Sequence, residues 1–101
     1  MKTNIPWAAG LFEGEGCIHQ RTDGYYMLQL RMTDYDVVQA FRDVFGVGNI
    51  VTEEHADRKD AYRWTMGKRS EVRRILDLML PYFGNRRAHK ALDCLDDLEN
   101  I

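Results

Sequence analysis

The chain holds 101 residues, 45% of them hydrophobic and 30% charged, with a formal net charge of −2. These values fit one globular domain over residues 1–101 with a core of its own, and no stretch approaches the roughly 18 apolar residues that cross a membrane. Cys17 and Cys94 lack metal-ligand spacing, and no leader-like apolar segment is visible, so a cytoplasmic protein is expected with both thiols reduced and one of them in the core.

The first helix takes Asn4 as its cap and Pro6 in its opening turn, where a missing N–H costs nothing. It carries Trp-Ala-Ala-Gly-Leu-Phe-Glu-Gly-Glu-Gly over residues 7–16 and ends near Gly14 to Gly16. Gly10 and Gly14 stand four apart and share a face. Without Cβ atoms that face lets a second backbone approach closely, as in small-xxx-small helix pairs. Each mid-helix glycine costs about 0.5–1 kcal/mol relative to alanine, so a tight helix–helix contact must return more. Glu13 and Glu15 fall at the helix end where the macrodipole is negative and acids are disfavoured, which points to a cation.

Residues 17–21 and 25–32 alternate on either side of Asp23-Gly24, predicting a hairpin with a two-residue turn. Ile18, Tyr26, Leu28, Leu30 and Met32 face one way; His19, Arg21, Tyr25, Met27, Gln29 and Arg31 face the other. Thr33, with Asp36 three residues on, reads as a capping box for a second helix. Val37, Val38, Phe41, Val44 and Phe45 recur there at helical spacing up to Gly46. A second hairpin is expected over 49–54 and 61–66, turning through Asp57, Arg58, Lys59 and Asp60. Ser70 would cap a third helix with Val72, Ile75, Leu76 and Met79 inward, ended by Pro81. A last helix from about Arg87 places Ala88, Ala91, Leu92, Leu95 and Leu98 on one side. The fold class is α+β: one four-stranded antiparallel sheet, helices on one face, and a bare polar face opposite.

The segment from Ala8 to Gly16 resembles the LAGLIDADG motif of homing endonucleases, with Glu13 and Glu15 where that family usually has aspartates, and the order αββαββα(α) is the order that family shows. The family carries two motifs in a long chain or one in a short chain that pairs with itself. The resemblance therefore implies a homodimer, meeting through Trp7, Gly10, Leu11 and Gly14, that cleaves a long, nearly palindromic DNA duplex with Mg²⁺ or Mn²⁺. It also implies a mobile-intron gene and a bacterial or phage-infected cell, or an organelle matrix.

Glu15 matches the second acidic position of the motif, the family's metal ligand and here the main catalytic candidate. Glu13 matches the first, which is more structural. Asp34 follows the second strand, where the family often has a polar residue near the metal and its water; as a helix-start acid it would only complement the dipole. In Gly84-Asn85-Arg86-Arg87 the family commonly places a base near the scissile phosphate. Arg86 takes that place when aligned from Pro81, with Asn85 and Arg87 one residue to either side.

The bare sheet face is the candidate reading surface, since a curved sheet or ribbon fits the major groove, where arginine pairs with guanine and glutamine with adenine. Arg21, Gln29, Arg31 and Arg63 suit base contacts, with His19, Tyr25 and Thr65 beside them, and Arg58, Lys59 and Lys68 suit phosphates. Residues 91–101 hold four acids and no base, which leaves +2 over residues 1–90, a mild positivity and not a basic patch. Glu53 and Glu54 on the third strand oppose tight binding. The alternatives are a cleavage-deficient DNA-binding regulator of the same fold and an RNA-binding maturase.

Overall fold

Asn4 Oδ1 accepts the Trp7 N–H at 3.0 Å and begins helix α1, Ile5–Glu15, in a computed structural model that describes residues 3–100. Strands β1 (Gly16–Gln20) and β2 (Tyr26–Met32) follow, then α2 (Tyr35–Phe45), β3 (Asn49–Glu53), β4 (Ala61–Met66), α3 (Arg69–Met79), a 3₁₀ turn over Leu80–Tyr82, and α4 (Asn85–Glu99). The strands make one sheet in the order β1-β2-β4-β3, antiparallel throughout.

Register sorts the side chains. Leu30 lies opposite Trp64, and Trp64 opposite Ile50, on the helix-covered face; one residue along, Arg31, Arg63 and Val51 line up on the bare one. The core gathers Phe12 and the α1 alanines, Leu28 and Leu30, Phe41, Trp64, and Val72, Ile75, Leu76 and Met79 of α3. Phe41 packs edge-on to Trp64 at 4.9 Å between ring centroids, and the Trp64 indole N–H donates to Val47 O at 2.9 Å, so the largest buried side chain is fully satisfied.

Several local expectations are corrected. The first hairpin has a three-residue loop, Thr22 to Gly24: Arg21 and Tyr25 still pair, Gly24 N–H closes a turn on Arg21 O, and Gly24 takes φ +90. That is a type I turn followed by a left-handed residue, the usual three-residue hairpin, and it puts Arg21 and Tyr25 at the loop rather than along the strands. Asp34, not Thr33, is the cap residue of α2, and Lys68, not Ser70, that of α3; neither makes a side-chain cap bond. Helix α4 starts at Asn85, before Arg87, and Leu92 is exposed while Cys94 is buried. Leu92 stands four residues before the acid Asp96, on the solvent side of the helix.

The Tyr26 hydroxyl donates to Asp97 Oδ2 at 2.5 Å and ties β2 to α4. Burial, then the Asp97 carboxylate, raises its proton affinity well above the ordinary value of 10.0. The folded state thus holds this proton more tightly than the unfolded one, a contribution present below pH 10 and lost above it. Urea melts from pH 9 to 11 are expected to show wild type losing stability above pH 10 more steeply than Tyr26→Phe, by up to about 1.4 kcal/mol per pH unit. Parallel curves would refute the assignment.

Candidate nucleic-acid interface

The two acids at the end of α1 are treated differently. Glu13 Oε1 accepts the Gly84 N–H at 2.6 Å, Arg87 Nε donates to Glu13 Oε2 at 3.3 Å, and Arg87 Nη2 donates to Glu13 O at 3.1 Å. Gly84 is the cap residue of α4 and has no side chain to cap with; a Cβ there would sit 2.8 Å from Glu13 Oε1. A glutamate from another helix therefore supplies the missing cap. Arg87 also lies over the Phe12 ring at 5.3 Å, which fixes it further. Glu15, the last residue of α1, is exposed and has no hydrogen-bond or ion-pair partner among the described residues.

The glycines of this segment divide the same way. A Cβ on Gly16 would fall 2.3 Å from the Phe12 ring, so its absence serves the core. Among the described residues, a Cβ on Gly10 or Gly14 would meet nothing within 4 Å, and both residues are exposed. Half-buried Trp7 and Leu11 border that face.

Arg86 is exposed and, with Arg87 and Lys90, lines an open cleft of about 260 Å³ at the start of α4. Of the three positions considered for the basic group, Arg87 is committed to Glu13 and Arg86 is unpaired among the described residues. Lys90, one helical turn beyond Arg86, was missed by the sequence reading; the i, i+4 spacing was the available signal. Asp34 is exposed at the start of α2, its carboxylate free of any cap bond.

On the open sheet face, Gln29 stands opposite Thr65 on one side and Cys17 on the other, Asn49 opposite Thr65, and His19 opposite Met27. Asn49 and Cys17 were also missed, although the alternation of their strands gave their parity. Gln29 and Thr65 are half-buried and His19 is exposed. Arg58 and Lys59 are exposed in the β3–β4 loop, Lys68 is exposed ahead of α3, and Arg21 pairs with Asp23 at 3.1 Å. Tyr25 is exposed at the first hairpin loop.

Arg31 and Arg63 are direct cross-strand neighbours, and Glu53 reaches both: Arg31 Nε donates to Glu53 Oε2 at 2.5 Å, and Arg63 Nη2 lies 3.3 Å from Oε1. The Arg31 hydrogen bond holds the Glu53 carboxyl below its ordinary range. Glu53 thus cancels part of the positive charge of two arginines, in place of adding bare negative charge to the face, and Glu54 lies beyond the strand end.

No protein-family model matches the sequence, and neither does any curated protein. Solved structures do match. The homing endonuclease I-CvuI, in complex with the I-CreI target in the presence of Mg with the DNA not cleaved, superposes with a TM-score of 0.75 at 18% identity, over 94% of this chain and 65% of that one. The homing endonuclease I-TnaI gives 0.75 at 20% identity over 98% and 74%. The LAGLIDADG homing endonuclease I-GzeII, in complex with its DNA target, gives 0.73 at 20% identity over 93% and 35%. The chain thus spans just under two thirds of I-CvuI and about one third of I-GzeII. At these identities the likeness is one of fold, and the fold is that of the LAGLIDADG homing endonucleases.

Because Arg87 bonds Glu13 and lies over Phe12 while Arg86 does neither, Arg87→Ala is expected to lower stability by about 1 kcal/mol through its lost hydrogen bonds and ring contact, and Arg86→Ala to stay within about 0.5 kcal/mol of wild type. Urea unfolding of the two variants measures this, and equal losses would contradict it.

Proposed function

We propose that this LAGLIDADG-fold chain is a homodimeric, divalent-metal-dependent DNA endonuclease that hydrolyses phosphodiester bonds in a long, nearly palindromic duplex. One observation carries the reading. Gly10 sits mid-helix, where glycine costs about 0.5–1 kcal/mol, nothing among the described residues occupies the space that Gly10 and Gly14 leave, and the unengaged Glu15 is the next residue after Gly14. A second copy of α1 laid on that face accounts for the glycines and brings two Glu15 carboxylates together under one duplex, one for each strand.

Among the described residues no three His, Cys, Asp or Glu groups gather to hold an ion within one copy. Mg²⁺ takes one or two carboxylates and completes its shell with water and substrate phosphates, so a pair of Glu15 carboxylates beside DNA fits it. When bound, such an ion supplies an activated water and neutralises charge on the attacking and leaving oxygens. Glu15 would hold it. Asp34, with its carboxylate free, would accept a hydrogen bond from the attacking water and orient it. Arg86 would meet the scissile phosphate by charge, through its planar fork of donors. The open sheet face would lie in the major groove, with Gln29, Arg31, Arg63 and Thr65 toward base edges and Arg58, Lys59 and Lys68 toward phosphates. The setting would be the cytoplasm or an organelle matrix.

A DNA-binding regulator that has lost cleavage is the second reading, favoured by the commitment of Arg87 to Glu13, which withdraws one base from the phosphate. Purified protein incubated with a duplex library in Mg²⁺ or Mn²⁺ is expected to give double-strand cuts that Glu15→Gln loses. Bound but intact DNA in both ions would favour the regulator, and preference for folded RNA the maturase. In sedimentation, Gly14→Leu is expected to weaken self-association by overfilling the helix contact; a wild-type monomer at micromolar concentration would sink the dimer.

A further inference from the structure

Arg31 on β2 and Arg63 on β4 are like charges placed directly opposite each other, an arrangement that by itself opposes pairing. Glu53 belongs to β3, two strands from Arg31. Adjacent strands are about 4.8 Å apart, so the two side chains meet by spanning β4. Its residue opposite Glu53 is Ala61, which has nothing to block the path. The contacts consume particular donors: Arg31 gives its Nε and Arg63 an Nη2, while Arg63 Nε is buried without a partner among the described residues. Both ends of the Glu53 carboxylate are used, and both Arg31 terminal amino groups remain for an outside acceptor.

We propose that Glu53 is a positioning residue for base recognition: it locks Arg31 and Arg63 into one fork on the open face, and so decides which base pairs that face selects. The proposal rests on the DNA-binding reading. A free arginine on a sheet face swings to the nearest phosphate, which binds every sequence alike. One whose Nε is already held presents a fixed pair of amino groups, the geometry that distinguishes guanine by its O6 and N7. Glu53 also lowers the charge available to phosphates, trading general affinity for selectivity.

The test is selection of preferred sites from a randomised duplex pool by the full chain, together with binding to a random-sequence duplex over a salt series. Wild type is expected to enrich a motif in which Glu53→Ala loses preference at one or two base pairs per half-site. The same variant should bind the random duplex several-fold more tightly at low salt, with a salt slope steeper by about 1. Glu53→Gln, which keeps the shape and one acceptor, serves if the alanine variant fails to fold. Arg31→Lys keeps the charge but gives up the fork; it should lose the same base pairs without the gain on random duplex. An unchanged motif in the folded Glu53 variants overturns the proposal alone, even if their melting temperature falls, because that is what mere relief of arginine repulsion predicts. A wild type that binds no duplex overturns the DNA reading and this proposal together.

Discussion

The contact between Glu13 and the start of α4 fixes the geometry on which any chemistry at the end of α1 depends. A carboxylate at a helix C-terminus is disfavoured by its own helix, but this one also sits at the N-terminus of another, where peptide N–H groups lack partners and the dipole attracts an anion. Glycine at the α4 cap makes room for it, and Arg87 closes the pair. Because Phe12, Glu13 and Arg87 pack as one unit, the end of α1 cannot rotate without uncapping α4. The direction of Glu15 and the position of the Arg86–Lys90 cleft are therefore set by a single junction.

That junction separates two carboxylates that look equivalent in the sequence. Glu13 has found its cation inside the fold; Glu15 has not. The glycines show the same division, since Gly16 is required by a ring of its own chain and Gly10 and Gly14 by nothing among the described residues. An acid and a bare helix face left over side by side are a stronger observation than either alone, because each costs folding free energy that the monomer does not recover.

Elements defined by periodicity were legible. The inward positions of α2 and α3 and the two faces of β2 follow from repeats of 3.6 and 2 residues, which burial of one face enforces. Local polar punctuation was less legible. Thr33 and Ser70 are plausible caps that the backbone passes over, because the first turns of α2 and α3 are placed by packing of Val38 and Val72 against the core rather than by cap hydrogen bonds. The Asp23-Gly24 signal located the first turn but not its length, since Gly24 supplies positive φ equally to a two-residue or a three-residue loop. Least legible was the pairing of Glu13 with Arg87 and of Glu53 with Arg31. These residues are 74 and 22 positions apart, and no local rule joins them.

Net charge is a poor guide to what this molecule can bind, for a reason visible in how its acids are used. Asp97 is occupied by Tyr26, Glu99 by Arg73, Glu71 by Arg74 and Glu53 by two arginines. The acid-rich end of the chain lies in α4, on the helix side of the sheet, whereas Gln29, Arg31, Arg63 and Thr65 lie on the other. Packed layers are roughly 10 Å apart, and the screening length at physiological salt is about 8 Å. A polyanion on the open face would therefore respond to the charges of that face far more than to those behind it. Neutralising the arginine pair with Glu53 leaves that face only mildly positive, so a polyanion there would meet little bulk attraction and would depend on fit to individual side chains.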